Sequence, residues 1–168
     1  PNPGGGRFAW FFADGRRIFI NRGVEGQVWE VETGTLLRTF GGTGGKMSAD
    51  GRRVISQRLG EPVYDLWNAE TGDLVRTFTY SWPAPTFATL SPDASQLFIV
   101  MKNGTGYTPT LLSTETAGEL REFSGTPVIS QGFSLDGRVV LTIGRDSVYV
   151  WDISDLTSAV GDAALYNR

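Results

Sequence analysis

The side chains best placed to do chemistry in this 168-residue chain are aromatics and charges flanked by proline and glycine. Tyr80 and Trp82 lie in TYSWPAP, and Tyr107 follows Asn103-Gly104-Thr105-Gly106. Rings held in such loops suit contact with a protein partner or a sugar face, because they offer large contact area at little entropic cost. Arg22, Arg58, Lys102 and Arg145 are their charged counterparts in other expected loops. In a carbohydrate-binding or hydrolytic alternative, Tyr80, Trp82 and Tyr107 would act with loop carboxylates such as Glu25 or Glu61, and acid–base work would rest on the carboxylates or Tyr.

The rest of the composition narrows the chemistry. The chain has no Cys and no His. Disulfides, thiolate metal sites and thiol nucleophiles are therefore excluded, and so are the commonest general base and the commonest metal ligand. Asp14, Asp50, Asp93 and Asp136 recur at equivalent places, where turn formation accounts for them better than a catalytic pair does. The run GGTGGKMS at 41–48 fails as a phosphate loop, since Phe40 stands where the first Gly belongs and Met47 where a hydroxyl would meet magnesium. No catalytic residue, metal or cofactor is expected, and the protein is read as a non-enzyme. A net charge of −3 gives no basic footprint for nucleic acid. Apolar runs stop well short of the roughly 20 residues of a spanning helix, so no membrane insertion is expected.

What must position these residues is a repeat. The turn aspartates are spaced 36, 43 and 43 residues apart, matching the roughly 40 to 45 residues of a four-stranded propeller blade. TGTLLRTF at 33–40 and TGDLVRTF at 71–78 differ at two positions, and a third copy ends in LREF at 120–123. The runs at 18–20, 97–100 and 139–141 are apolar without alternation, as expected of strands covered on both faces. Asp-Gly and Thr-Gly mark hairpins, because glycine takes a positive φ without steric cost. The expected organisation is a linker at 1–6, blades at about 7–40, 41–78, 79–123 and 124–153, and a tail at 154–168. Trp29, Trp67 and Trp151 share one repeat position and are read as blade core, while Phe40, Phe78 and Phe123 close each unit against the next. Arg38, Arg76 and Arg121 form a ladder on the fourth strands, read as a solvated edge that discourages aggregation.

The combination SxDG-R, an apolar strand, VYVWD at 148–152 and TG-x-L-x-R-x-F resembles the WD-repeat β-propeller family in a degenerate, bacterial-type form. The resemblance covers about residues 7–153. It implies an all-β fold of four-stranded antiparallel blades, about four in this chain with the last incomplete, and a scaffold for protein interaction. The family's Gly-His dipeptide is missing, and only Trp151-Asp152 keeps the complete Trp-Asp pair; Trp29-Glu30 and Trp67-Asn68 depart from it.

Propellers of this family usually carry about seven blades. An arc of four leaves apolar blade faces to be covered, and a last blade without its fourth strand leaves an edge open to a neighbouring strand. The expected partner is therefore another copy of the chain or the remainder of a larger propeller, in a homo-oligomeric structural scaffold. The start at Pro1 fits a processed product or an excised domain, and processing points to an extracellular or periplasmic protein. Asn103-Gly104-Thr105 matches a glycosylation sequon and, equally, an Asn-Gly hairpin turn. Binding residues are expected on the loops at 21–26, 58–62, 102–109 and 144–147, and on those at 41–46, 79–85 and 124–127.

Overall fold

The computed structural model describes residues 8–104, 106–123, 128, 130–154 and 156, with Asn103 described by its backbone alone. The expected linker at 1–6, the loop at 124–127, the body of the tail and the sequon threonine lie outside them. The chain forms two compact units, Pro1–Ala84 and Pro85–Arg168.

Every described element is a β-strand. In unit 1, β1 (Phe8–Phe11), β2 (Arg17–Asn21), β3 (Glu25–Glu30) and β4 (Leu36–Gly41) make blade 1. Blade 2 consists of β5 (Thr43–Met47), β6 (Arg53–Gln57), β7 (Val63–Asn68) and β8 (Leu74–Thr79). In unit 2, β9 (Phe87–Leu90), β10 (Gln96–Asn103), β11 (Gly106–Ser113) and β12 (Glu119–Glu122) make blade 3. Blade 4 has three strands, β13 (Ser130–Phe133), β14 (Val139–Ile143) and β15 (Val148–Asp152). Within each sheet the strands are antiparallel and sequential, so the fold is all-β and of β-propeller type, as the repeats predict, with three strands of the last blade among the described residues.

The recurring turns show why the motif residues recur. The N–H of Gly15, Gly51, Ala94 and Gly137 donates to the carbonyl of Phe12, Ser48, Ser91 and Ser134 respectively, the same bond in four blades. In three of them a serine clamps the turn. Ser48, Ser91 and Ser134 donate their hydroxyl to Asp50, Asp93 and Asp136 at 2.6–2.7 Å. Each hydroxyl also accepts the N–H five residues on, at 3.0 Å. Blade 1 has Phe12 at the serine position, and there Arg17 donates Nε to Asp14 at 2.7 Å instead. The turn aspartates are thus consumed by backbone geometry.

Each unit has one core between its two blades. In unit 1, Phe12, Phe19, Val28 and Phe40 of blade 1 pack with Val54, Ala69, Met47 and Trp67 of blade 2. In unit 2, Phe98, Val100, Leu111 and Phe123 of blade 3 pack with Val140, Trp151 and Ile153 of blade 4. The junctions are built alike, with the fourth-strand phenylalanine of one blade against the tryptophan of the next. Trp67 and Trp151 therefore are core, as expected, with their indole N–H donating to Ser56 and Thr142 on the neighbouring strand, both at 3.0 Å.

Three expectations are revised. The glycine run at 41–46 is a strand, not a loop: only Gly42 separates β4 from β5. Glycine is required there because φ is 104° and a Cβ would lie 2.5 Å from the Gln57 carbonyl oxygen. The segment 102–109 is likewise a hairpin, with Lys102 and Tyr107 as cross-strand partners and the turn at Gly104. The arginine ladder reaches across blades: Arg121 Nη1 donates to the Asp152 carbonyl of blade 4 at 2.9 Å, and Arg38 lies over the Gly72 turn of blade 2. The Arg121 guanidinium ties blade 3 to blade 4, which a freely solvated edge would not do, while exposed Arg38 donates Nη1 to the adjacent Leu37 carbonyl at 2.7 Å.

Candidate functional site

The register of blade 1 builds a row of apolar side chains across the sheet. Phe11 pairs with Ile18, Ile18 with Trp29, and Trp29 with Leu36. Directly opposed residues of antiparallel strands share a face, so all four point the same way. It is the side away from blade 2, because the blade 1 residues in the unit 1 core come from the alternate positions. Phe11 is 64% exposed and Leu36 42%, while Ile18 and Trp29 are half-buried.

Blade 2 carries the same row as Met47, Val54, Trp67 and Leu74. There blade 1 covers the inner part of the row, where Val54 is 0% exposed and the Trp67 ring lies 6.1 Å from that of Phe40, while Leu74 at its outer end is 48% exposed, much as Leu36 is in blade 1. The equivalent Trp29 has no aromatic ring against it among the described residues, and its indole N–H turns to Gln27 on its own strand at 3.0 Å. The structure thus gives Trp29 a different setting from Trp67 and Trp151. The repeat position shared by the three tryptophans concealed this, since the setting depends on what packs against the blade and not on the residue itself.

The second open feature is in unit 2. Among the described residues, no strand pairs with the outer edge of β15, the place taken by β4, β8 and β12 in the other blades. The adjoining sheet face carries the exposed Ile143 and Val148, which are cross-strand partners.

The residues expected to bind are distributed over these blades and do different things. Arg58, on the β6–β7 turn, donates Nε and Nη2 to the carboxylate of buried Asp65 at 2.6 and 2.9 Å. Thr77 donates to the same carboxylate at 2.7 Å. The bidentate pair, with a third donor, is a tie that holds β6, β7 and β8 together. Glu61 lies 3.9 Å from the same guanidinium. Tyr80 meets this turn through its N–H, which donates to the Pro62 carbonyl at 2.9 Å. Its ring stands edge-on to Tyr64, 6.2 Å between centroids, and its hydroxyl is buried with no hydrogen-bond partner among the described residues.

Burial pushes the Tyr64 hydroxyl up to about 12 and the Tyr80 hydroxyl higher still. Tyr80 is thus a packing residue under its loop, while Trp82, two residues on, is 66% exposed. Arg22 is exposed on the β2–β3 turn with Glu25 at its end, where the Arg22 N–H donates to the Glu25 carbonyl. In unit 2, Lys102 is exposed and Tyr107 leans on the core of blades 3 and 4. Arg145 is exposed on the β14–β15 turn.

Unit 1 brings Arg58, Glu61 and Tyr80 together on one end of blade 2, and unit 2 pairs Lys102 with Tyr107. Among the described residues no group of three or more carboxylates is placed to hold a metal ion.

No family model matches this chain, and no curated protein matches it. What the side chains carry therefore decides how the site is read. Among the described residues, the apolar row on blade 1 is a surface whose equivalent in blade 2 is largely covered by a neighbouring blade.

Proposed function

We propose that the chain is a non-catalytic β-propeller scaffold of the WD-repeat kind that works by packing its blades with further blades of the same type. The observation that carries this reading is the row Phe11–Ile18–Trp29–Leu36. Its counterpart in blade 2 is a blade-to-blade contact, so the row already has the shape and chemistry of one half of such a junction. The serine–aspartate clamps and the Trp67–Ser56 and Trp151–Thr142 bonds support kinship of the repeats with that family. The partner supplies a blade with an aromatic fourth strand, from a second copy or from a longer polypeptide.

Burying one large apolar side chain contributes about 2 kcal/mol, so the row supplies at most about 8 kcal/mol towards association before the costs of ordering and lost freedom are deducted. Of the residues expected to bind, Arg58 is held by Asp65 and Tyr80 packs against Tyr64, while Arg22, Lys102 and Arg145 are exposed.

Sedimentation velocity over a hundredfold dilution tests the reading, alone and with Phe11→Asp. Phe11 is exposed, so the charge leaves the fold intact while placing a carboxylate in the contact. Association that Phe11→Asp abolishes supports the proposal. A wild-type chain that stays monomeric and binds no second propeller segment counts against it, as does association unaffected by the substitution.

A further inference from the structure

Unit 1 holds a cavity of about 300 Å³ that the packing reading does not use. It is lined by Phe8 and Trp10 of β1, Asn21 at the end of β2, and Gly44 and Lys46 of β5. Phe8 and Trp10 stand 5.7 Å apart between ring centroids, and Trp10 is backed by Phe19 at the same distance, so one wall is a fixed aromatic surface. The volume is at the lower end of that of small-molecule sites, which combine apolar walls with a few placed polar groups.

Two polar side chains reach this cavity. Asn21 is already satisfied: it is buried, its Nδ2 donates to the Gly45 carbonyl at 3.1 Å, and its Oδ1 accepts the Gly23 N–H at 2.8 Å. Lys46 is half-buried and forms no ion pair with a described residue, and burial holds its amine below the usual lysine range. An ammonium withdrawn from water without a counter-ion is costly. Gly44 opposite leaves open space, with nothing within 4 Å of where a side chain would start.

We propose that this cavity binds a small anion with a flat apolar body, an arene carboxylate, whose ring lies on Phe8 and Trp10 and whose carboxylate meets the Lys46 ammonium. The aromatic wall supplies the apolar contact and Lys46 the orientation. The site lies between blades 1 and 2 and is separate from the proposed outer blade contact, because its lining lies on other residues than the row Phe11–Ile18–Trp29–Leu36.

Calorimetric titration of the full chain with 2-naphthoate, and with its neutral isostere 2-naphthamide, tests the assignment. The acid is expected to bind about tenfold more tightly than the amide, the value of one charge-assisted contact. Lys46→Met keeps the length of the stem and should erase that preference, while Phe8→Ala, at an exposed position, should weaken both compounds. Equal binding of acid and amide overturns the proposal, as does no binding of the acid at millimolar concentration or a preference that survives Lys46→Met. The first two of these outcomes are read on the wild-type chain, so the proposal can be overturned even if a variant does not fold.

Discussion

The ring of Phe123, just past the fourth strand of blade 3, lies 5.0 Å from that of Trp151 in blade 4, centroid to centroid. Phe40 and Trp67 repeat the contact between blades 1 and 2 at 6.1 Å. The junction is thus a phenylalanine from one repeat and a tryptophan from the next, each nearly or partly withdrawn from water. Aromatic pairs of this kind contribute about 0.5–1.5 kcal/mol beyond the area they bury. Phe123→Leu should therefore destabilise unit 2 by about 1–2 kcal/mol in denaturant unfolding, through lost contact with Trp151. Trp29→Leu, with no ring against Trp29 among the described residues, should cost clearly less than Trp151→Leu. Equal costs would contradict the distinction drawn between the two tryptophans.

The third repeat is locally strained. Ala94 and Ala117 have φ of 60° and 62°, where the other repeats place Gly15, Gly51 and Gly137 at the first turn and Gly34 and Gly72 at the second. An L side chain in this region costs about 1–2 kcal/mol, which glycine avoids. Ala117→Gly should raise stability by about 1 kcal/mol after the entropy that glycine adds to the unfolded chain is deducted. Gly34→Ala should lower it by a similar amount. Thermal unfolding of the two variants checks both signs.

The turn aspartates give the protein an acid limit. The Ser134 hydroxyl and then the Arg138 N–H hold the Asp136 carboxyl below its ordinary value of 3.8. For Asp93, burial pushes upward but is outweighed by the Ser91 hydroxyl and the Ser95 N–H and hydroxyl, so the net direction is again down. A carboxyl depressed in the folded state contributes stability that is fully present above its unfolded value and is lost as pH falls through the folded one. Stability should be flat above pH 5 and should fall below about pH 4. Ser134→Ala should shrink that fall. An unchanged acid profile in this variant would show that the clamp does not act on the charge.

Tyr80 and Tyr64 set the alkaline limit. Both hydroxyls titrate higher in the folded chain than their ordinary value of 10.0. Stability is then complete below pH 10 and is lost as pH rises towards about 12, the value for Tyr64. Because the Tyr80 hydroxyl is buried with no hydrogen-bond partner among the described residues, Tyr80→Phe should stabilise the protein at neutral pH by about 1 kcal/mol and should reduce the alkaline loss. Destabilisation by this substitution would mean that the hydroxyl serves a contact that the packing does not explain.

Arg58 and Asp65 form a testable pair. Removing the guanidinium alone leaves a buried carboxylate with only Thr77 to donate to it. Arg58→Met should therefore lower the melting temperature, and adding Asp65→Leu should recover part of the loss. Additive losses in the double-mutant cycle would contradict the coupling.

The blades were legible in the chain because their determinants are local. Ser-x-Asp-Gly and Thr-Gly specify turns through bonds within six residues, and the fourth-strand phenylalanines recur in register. What was not legible depends on approach between elements. The glycines at 41–45 read as a loop, yet Gly42 and Gly45 are small because the Gln57 backbone and the Phe19 ring come close to them. The arginine ladder read as solvated because its targets, the Gly72 turn and the Asp152 carbonyl, belong to the following repeat. Arg58 read as a loop charge because Asp65 is buried only once β7 is covered. Trp29 shares its motif with Trp67 and Trp151, and no pattern within one repeat says whether a blade lies against it. Lys46 escaped notice in a failed phosphate-loop motif, since its setting is made by β1.

The central claim is that the face bearing Phe11, Ile18, Trp29 and Leu36 is half of a blade junction. Electron cryo-microscopy of the native assembly, at a resolution that shows side chains, tests it most directly. The expected map has a further propeller blade against blade 1, with an aromatic side chain of that blade's fourth strand stacked near Trp29 as Phe40 is near Trp67. A map in which Trp29 faces solvent, or a non-propeller partner, would contradict it.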